Sequence, residues 1–333
     1  MKCRIEFLGR RREFITLLGG AAATWPLAAR AQQPMPVIGY LYAGSPEPSA
    51  HLLAAFRKGL TETGYVEGQN LAIEFRWARN ETDRLPELAA DLVRRQVAVI
   101  ATPGSSVAST AAKAATLSIP IGFSMGGDPV QAGLVASFNQ PGGNVTGISS
   151  MNTELGSKRL GLLHELVPNA ERFATLVMNS PLYQPLVEDV QAGAASIGRP
   201  IDVVYASTSR DIDAAFSRIV QKRIEALVLT PGPLFNNNRV QLATLAARHA
   251  LPAIYSSREF AEAGGLMSYG TNLGDAYRQA GVYTGRILKG EKVADLPVLQ
   301  STKFEFVINL STAKALGIDV PPSLSARAEE VIE

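Results

Sequence analysis

Cysteine, histidine and tryptophan are nearly absent from this 333-residue sequence, which contains one, three and two of them respectively. The single cysteine is Cys3, so the chain beyond its first residues has no thiol for a disulfide, a thiolate metal site or a cysteine nucleophile. Three scattered histidines do not make a zinc cluster without cysteine ligands. We therefore expect no bound metal.

Runs of lysine and arginine are also missing beyond residue 31. The first 31 residues hold six of the 32 basic and two of the 30 acidic residues, so 26 basic and 28 acidic residues remain, a formal charge of −2. A surface that neutralises phosphates needs a cationic excess, so we expect no nucleic-acid partner. No G-x-G-x-x-G or Walker-type motif stands at a strand-to-helix junction beyond the leader, so we expect no nucleotide cofactor.

The first 31 residues have the three regions of a secretory signal: a basic stretch, a short apolar run and a small-x-small end. The basic stretch contains Arg11-Arg12 followed by x-Phe-Ile, which resembles the twin-arginine export signal. The apolar run from Ile15 to Ala29 is shorter than the roughly 20 residues that span a bilayer. We expect cleavage after about Ala31 and a mature protein in the periplasm. An ordinary secretion signal with an extra arginine is the alternative.

From residue 36 onward, short β-branched or apolar runs alternate with amphipathic helical stretches, which is typical of parallel β-α repeats. The pattern predicts five strands between residues 37 and 149 and a second series of four strands between residues 173 and 255. A long helix over 273–288 and a strand over 303–310 remain after the second series, which does not need them to complete a lobe. The sequence therefore predicts an α/β fold of two Rossmann-like lobes with parallel sheets, joined by a multi-strand hinge.

The predicted boundaries follow from this alternation. Residues 1–31 are the twin-arginine signal peptide, and residues 35–150 form the N-terminal lobe together with a return segment near 271–297. Residues 151–270 form the C-terminal lobe, and residues 298–333 form a strand and a helix near the hinge.

The segment 122–126, Gly-Phe-Ser-Met-Gly, matches the G-x-S-x-G nucleophile elbow of α/β-hydrolases directly after a predicted strand. An elbow needs a helix immediately behind Ser124, whereas the Gly-Gly-Asp-Pro stretch at 126–129 favours an open turn. His164 and His249 fall within helical patterns, although a catalytic histidine is expected on a loop after a final strand. A secreted serine hydrolase using Ser124 is thus the alternative, and a non-enzymatic protein is the main prediction.

Polar loops follow the predicted strands, at the edge where open α/β sheets bind ligands. Ser105 and Ser106 open a helix, where free N–H groups and hydroxyls can hold a carboxylate, although plain N-capping by Ser105 is equally expected. Asp128 either caps a helix or faces the cleft as the partner of a ligand ammonium. For the tyrosines, core packing is the alternative. The candidate ligand-binding residues are Tyr42, Ser45, Thr102, Ser105, Ser106, Asp128, Asn179, Tyr183, Pro231, Tyr255, Ser256 and Tyr269.

Three stretches carry a resemblance to a known family: residues 11–20 of the leader, the block from Gly127-Asp128-Pro129 to Pro141–Gly147, and Phe304–Asn309. They resemble the tryptophan/tyrosine-type ABC transporter substrate-binding family. The resemblance implies a type I periplasmic binding protein whose lobes close on a ligand that an ATP-binding-cassette permease in the inner membrane then accepts. For aromatic amino-acid binders of this kind, it implies that Ser105 and Ser106 take the carboxylate and Asp128 the ammonium.

The expected function is therefore that of a monomeric solute-binding protein for an amino acid or a small aromatic carboxylate. A sensory module that presents its ligand to a membrane receptor is a third possibility.

Overall fold

The computed structural model describes residues 35–301 and 303–333. The predicted leader, including Cys3 and the Arg11-Arg12 pair, lies outside the described residues. Residues 36–333 form one compact unit. No helix in the part of the chain that the structure describes combines the length and apolar character needed to cross a bilayer.

The first of two β-sheets lies in the N-terminal lobe. Its strands are β1 (Val37–Tyr42), β2 (Ala72–Trp77), β3 (Val99–Pro103), β4 (Ile121–Met125), β5 (Val145–Ser149) and β11 (Leu299–Gln300). Their spatial order is β11-β5-β4-β3-β1-β2, and all neighbouring strands pair in parallel. The carboxyl ends of the strands therefore meet at one edge.

The second sheet lies in the C-terminal lobe. Its strands are β6 (Phe173–Met178), β7 (Ile201–Ala206), β8 (Ala226–Leu229), β9 (Ala253–Tyr255), β10 (Met267–Thr271), β12 (Phe304–Asn309) and β13 (Glu330–Ile332). They lie in the order β13-β12-β10-β9-β8-β6-β7, with the β10–β12 pair antiparallel and the other pairs parallel.

Helices cover both faces of each sheet, as buried parallel strands require. Those of the first half are α1 (Ala50–Glu62), α2 (Leu85–Arg94), α3 (Ser106–Ala115), α4 (Gly156–Leu166), α5 (Gln184–Ser196) and α6 (Ser209–Gln221). Those of the second half are α7 (Pro233–Asn237), α8 (Arg239–Arg248), α9 (Arg258–Glu262), α10 (Leu273–Leu288), α11 (Leu310–Ala315) and α12 (Pro322–Ser325).

The described chain passes between the sheets at three places: after β5, after β10 and after β11. Helix α10 thereby returns to the N-terminal lobe, and β12 and β13 complete the second sheet. The predicted α/β fold of two lobes with parallel-dominated sheets is confirmed. The exact lobe boundaries stay a prediction.

Close packing fixes the returning helix α10 against α1. A Cβ atom on Gly59 would lie 1.8 Å from the carbonyl oxygen of Arg278, and one on Gly281 would lie 2.1 Å from that of Phe56. Only glycine permits this approach of two helix backbones. The contact places the first turns of α10, including Tyr277, at the cleft between the lobes.

Candidate functional site

Two adjoining cavities lie in the cleft between the lobes. The inner cavity has a volume of about 50 Å³, and the outer cavity has about 350 Å³. Ser106, Met125, Thr153 and Tyr183 line both, so the two are neighbours. Together they fall within the range of roughly 300–1,000 Å³ that is typical of small-molecule sites.

The inner cavity is enclosed by both lobes and by the chain that crosses between them. The N-terminal lobe contributes Gly104 and Ser124, the crossing after β5 contributes Asn152, and the C-terminal lobe contributes Asn236. Tyr277 of the returning helix α10 also lines it. No charged side chain lines this cavity within the described residues. Its recognition groups are therefore amides, hydroxyls and backbone.

The N-terminus of α3 forms one wall of the inner cavity. Ser105 caps this helix, because its Oγ accepts a hydrogen bond from the backbone N–H of Ala108 at 3.2 Å. Gly104 has a φ of +71°, and a Cβ there would lie 2.0 Å from the Tyr277 hydroxyl oxygen. Ser106, in the first turn of the helix, lines both cavities. First-turn N–H groups have no partner within the helix and carry its positive end, so this wall suits a carboxylate.

Three buried tyrosines lie at or behind the walls of the cavities. Tyr42 is fully buried, and its hydroxyl has no hydrogen-bond partner among the described residues. Burial raises the pKa of Tyr42. The pKa of Tyr277 lies well above its usual value, mainly because of burial and secondly because of the neighbouring Tyr42. Burial likewise raises the pKa of Tyr183. These hydroxyls stay neutral and can donate hydrogen bonds at physiological pH.

A buried arginine supports the floor of the inner cavity. Arg159 is 0% exposed, its Nε donates to the carbonyl oxygen of Tyr269 at 2.7 Å, and its Nη2 donates to the carbonyl oxygen of Asn152 at 3.0 Å and to the Asn152 side chain. The Asn152 amide in turn donates to the carbonyl oxygen of Ser256 at 3.2 Å. Burial lowers the pKa of Arg159 to about 9, which leaves it charged at neutral pH. The floor therefore ties the crossing after β5 to the second sheet.

The outer cavity differs in having an acidic wall beside its apolar one. Prolines, leucines and a tyrosine from residues 181–186 form the apolar side, and Asp128 and Glu154 form the acidic side. Asp128 caps the following turn, because its Oδ1 accepts from the backbone N–H groups of Val130 at 2.7 Å and Gln131 at 3.2 Å. Partial burial, and then the charge of Asp128, raises the pKa of Glu154.

Some of the residues predicted from the sequence do meet in these cavities. Ser106, Tyr183 and Pro231 line the inner cavity. Ser106, Tyr183 and Asp128 line the outer cavity. Tyr42 lies behind Tyr277 and does not itself line either cavity.

The structure places the other predicted residues away from the cavity walls. Thr102 is buried with its Oγ1 2.9 Å from the Oγ of Ser109. Tyr255 stacks on Phe260 with 4.9 Å between ring centroids. Of the remaining predicted residues, Ser105 is the α3 cap, Ser256 is buried below Asn152, Tyr269 lies within β10, Asn179 is exposed and Ser45 is half-buried after β1.

Three residues that sequence reasoning missed are Asn152, Asn236 and Tyr277. None of them directly follows a predicted strand: Asn236 lies in the short helix α7, Tyr277 in α10 and Asn152 in the crossing after β5. The only signal for Tyr277 was the surplus helix over 273–288, which indicated a return between the lobes.

Ser124 lines the inner cavity without the geometry of a nucleophile elbow. It is 3% exposed within β4, and its Oγ accepts a hydrogen bond from the backbone N–H of Gly104 at 3.1 Å. Residues 126–144 contain turns and no helix. None of the histidines in the described ranges, His51, His164 and His249, lines this cavity. The hydroxyl therefore has a structural partner and no adjacent base.

The two lobes touch directly across the cleft. The Asn237 amide donates to the Oδ1 of Asn80 at 3.0 Å, and the Ser49 hydroxyl donates to the Oδ1 of Asn237 at 3.2 Å. Arg239 also donates to the carbonyl oxygen of Pro48 at 3.2 Å. The conformation is thus closed over the cavities.

Comparison with known proteins identifies a family. The family model of the ABC transporter substrate binding protein matches residues 49–332. The tyrosine-binding protein of Clostridioides difficile (strain R20291) is 29% identical over 265 residues, which cover 78% of this chain and 75% of that protein.

Solved structures share the fold. A conserved domain protein from Vibrio cholerae superposes with a TM-score of 0.82 at 24% identity, covering 89% of this chain and 99% of that one. An ABC domain from Streptococcus pneumoniae, solved in complex with L-Trp, gives 0.80 at 24% identity with the same coverage. A ligand-free, open substrate-binding protein from Clostridium difficile gives 0.61 at 25% identity, covering 90% and 99%. The chain therefore belongs to the ABC transporter substrate-binding proteins, a family of solute-binding proteins and not of enzymes.

Proposed function

We propose that this protein is the periplasmic solute-binding component of an ABC importer and that it binds an aromatic amino acid between its lobes. The observation that carries the proposal is the pair of adjoining cavities, one small, with hydroxyl and amide groups and no charged side chain in its described lining, the other larger, with prolines, leucines and two carboxylates. An amino acid has the same division into a compact polar head and a bulky side chain.

The ligand carboxylate is assigned to the first turn of α3. Ser106 offers a hydroxyl and a first-turn N–H there, and Ser105 fixes the start of the helix by capping it. The helix dipole and the free N–H groups stabilise an anion without a neighbouring positive side chain. The buried charge of Arg159 behind Asn152 adds to this preference.

The ligand side chain is assigned to the outer cavity. Its apolar wall at residues 181–186 can pack against an aromatic ring, and Asp128 and Glu154 can accept a hydrogen bond from a phenol or an indole N–H. The tyrosine-binding relative and the L-Trp complex support this class of ligand.

Transport by a membrane permease is the proposed purpose of binding. The family supports this partner, and the twin-arginine resemblance of the leader supports export to the periplasm. We further propose that the mature protein acts as a monomer that closes on its ligand and excludes water.

Thermal melting of the mature protein tests the proposal. Ligands that bind only the folded state raise Tm, by an amount that grows with ligand concentration over Kd. L-Tyrosine, L-tryptophan and L-phenylalanine should raise it, whereas glycine and glucose should not. A Tm that no amino acid changes, in a sample that melts cooperatively, would contradict the proposal.

A further inference from the structure

A third, small cavity adjoins the inner cavity. It has a volume of about 10 Å³ and lies between Ser49 of the N-terminal lobe and Ser257 and Glu259 of the C-terminal lobe. Asn236 and Leu273 line both this side cavity and the inner cavity, so the two are neighbours. A space of this size holds one water-sized group.

Three oxygen acceptors at the side cavity have no partner among the described residues. They are the Oδ1 of Asn236, the Oγ of Ser257 and the Oε2 of Glu259, all buried from solvent. Ser257 is only 2% exposed, and although it precedes α9 at the N-cap position, its side chain makes no capping hydrogen bond. Buried acceptors without donors are costly, most of all a carboxylate oxygen, so native structures rarely leave them unmatched.

We propose that the α-ammonium group of the bound amino acid enters the side cavity and donates to Asn236, Ser257 and Glu259. The inference rests on the proposed function and adds the group that reads the ammonium end of the ligand. An ammonium has three N–H donors, which matches the three acceptors, and its positive charge balances the Glu259 carboxylate.

The surroundings of Glu259 agree with this assignment. Burial, and then neighbouring tyrosines, raise the pKa of Tyr277, and the charge of Glu259 raises it further, so Glu259 lies within electrostatic range of a residue that lines the inner cavity. Arg239 also lines the side cavity, but its Nη1 donates to the carbonyl oxygens of Pro48 and Asn236 at 3.2 and 3.1 Å. The Nη1 of Arg239 thus has carbonyl acceptors and joins the two lobes.

The carboxylate predicted from the sequence, Asp128, is placed differently. It is half-buried, lines the outer cavity, and already accepts two backbone hydrogen bonds through Oδ1. It therefore lacks the unmatched, desolvated oxygen that Glu259 has. In this arrangement the ammonium contacts Glu259, the carboxylate contacts Ser106, and the aromatic ring lies toward Asp128. The polar end of the ligand therefore points into the interior of the cleft.

Calorimetric titration of Glu259→Gln with L-tyrosine and with 3-(4-hydroxyphenyl)propionate, which lacks the ammonium, tests the proposal. Loss of one partner of a buried charge pair should lower the affinity for L-tyrosine by roughly 30-fold or more. The affinity for the propionate should change by less than about 3-fold, because it makes no contact with Glu259. Glu262→Gln is the matched control on the same helix, where Glu262 pairs with Arg258 at the surface, and it should bind both ligands as the wild type does.

The outcomes separate the two proposals. If the wild type binds no amino acid, the proposed function fails and this inference fails with it. If the wild type binds L-tyrosine and Glu259→Gln binds it equally well, or if Asp128→Asn loses more affinity than Glu259→Gln, only the inference is overturned. A requirement for sodium, measured by replacing sodium chloride with choline chloride, would assign the side cavity to a free cation and would also overturn the inference.

If Glu259→Gln does not fold, Ser257→Ala should still lower L-tyrosine affinity by about 5-fold relative to the propionate. An unchanged ratio of the two affinities would overturn the inference.

Discussion

The inner and outer cavities of the cleft differ in the residues that line them. The inner cavity is lined by a glycine with positive φ, by hydroxyls and amides and by apolar side chains such as Ile148 and Leu273, and no charged side chain lines it among the described residues. The outer cavity is about seven times larger, and its lining includes two carboxylates. Under the proposed function, we expect the inner cavity to recognise a group common to all ligands and the outer cavity to select among side chains.

Adding a methyl group to the wall of each cavity should give the largest difference in ligand affinity between them, and so tests this comparison most strongly. In Gly104→Ala, the new Cβ would lie 2.0 Å from the Tyr277 hydroxyl and on a backbone with φ of +71°. In Gly127→Ala, on the outer wall, the nearest atom would be 3.5 Å away, which is ordinary contact. Titration with L-tyrosine should show a loss of affinity on the order of 100-fold for Gly104→Ala and less than about 3-fold for Gly127→Ala.

Thermal melting without ligand is the control for this pair. Gly104→Ala should remain folded with a stability loss of about 1–2 kcal/mol, because strain in the left-handed region costs that much. Equal affinities for the two variants would show that the inner cavity is not the more constrained one.

An intermediate effect is expected from neutralising the acidic wall. Asp128→Asn with Glu154→Gln keeps the shape of the outer cavity but weakens its acceptors for a phenol O–H or an indole N–H. The preference for L-tyrosine over L-phenylalanine should fall by about 5- to 10-fold in competition titrations. An unchanged preference, with affinity for both ligands lowered alike, would mean that these carboxylates do not contact the side chain.

The smallest effect concerns the pH dependence of stability. Because partial burial and Asp128 raise the pKa of Glu154 in the folded protein, the folded state holds this proton to higher pH than the unfolded state does. Ionisation at this site therefore lowers stability as pH rises through the interval between the two pKa values. Glu154→Gln should raise Tm at pH 8 and leave it unchanged at pH 4. The gain in the free energy of unfolding should stay below about 0.5 kcal/mol, because the group is only partly buried and solvent screens its charge. A larger gain in Tm at pH 4 than at pH 8 would contradict the predicted direction of the pH dependence.

Regular alternation made most of the fold predictable from the sequence. Strand β8 is a continuous apolar run, and β6 is interrupted only by Thr175, both at their observed positions, and α10 was predicted over its observed range 273–288. Strand β10, Met-Ser-Tyr-Gly-Thr, has neither alternation nor a continuous apolar run, and β11 has two residues. Such strands form because tertiary packing supplies a neighbour, which a local pattern does not reveal.

The candidate site was only partly predictable for a related reason. Polar residues after a strand can turn toward the cleft, as Ser106 does, or into the lobe, as Thr102 does, because strands buried on both faces give no alternation to tell the faces apart. Tyr277 and Glu259 belong to helices, and they reach the cleft only because the chain crosses between lobes and the lobes close.

The most direct test of the central claim is isothermal titration calorimetry of the mature protein with L-tyrosine and L-tryptophan. A ligand enclosed by both lobes should bind with a stoichiometry of one per chain and a Kd in the micromolar range or tighter, about −8 kcal/mol. Apolar burial on closure should also give a negative heat-capacity change. The absence of saturable heat for either amino acid at about 1 mM, where binding would be worth only about −4 kcal/mol, would contradict the account.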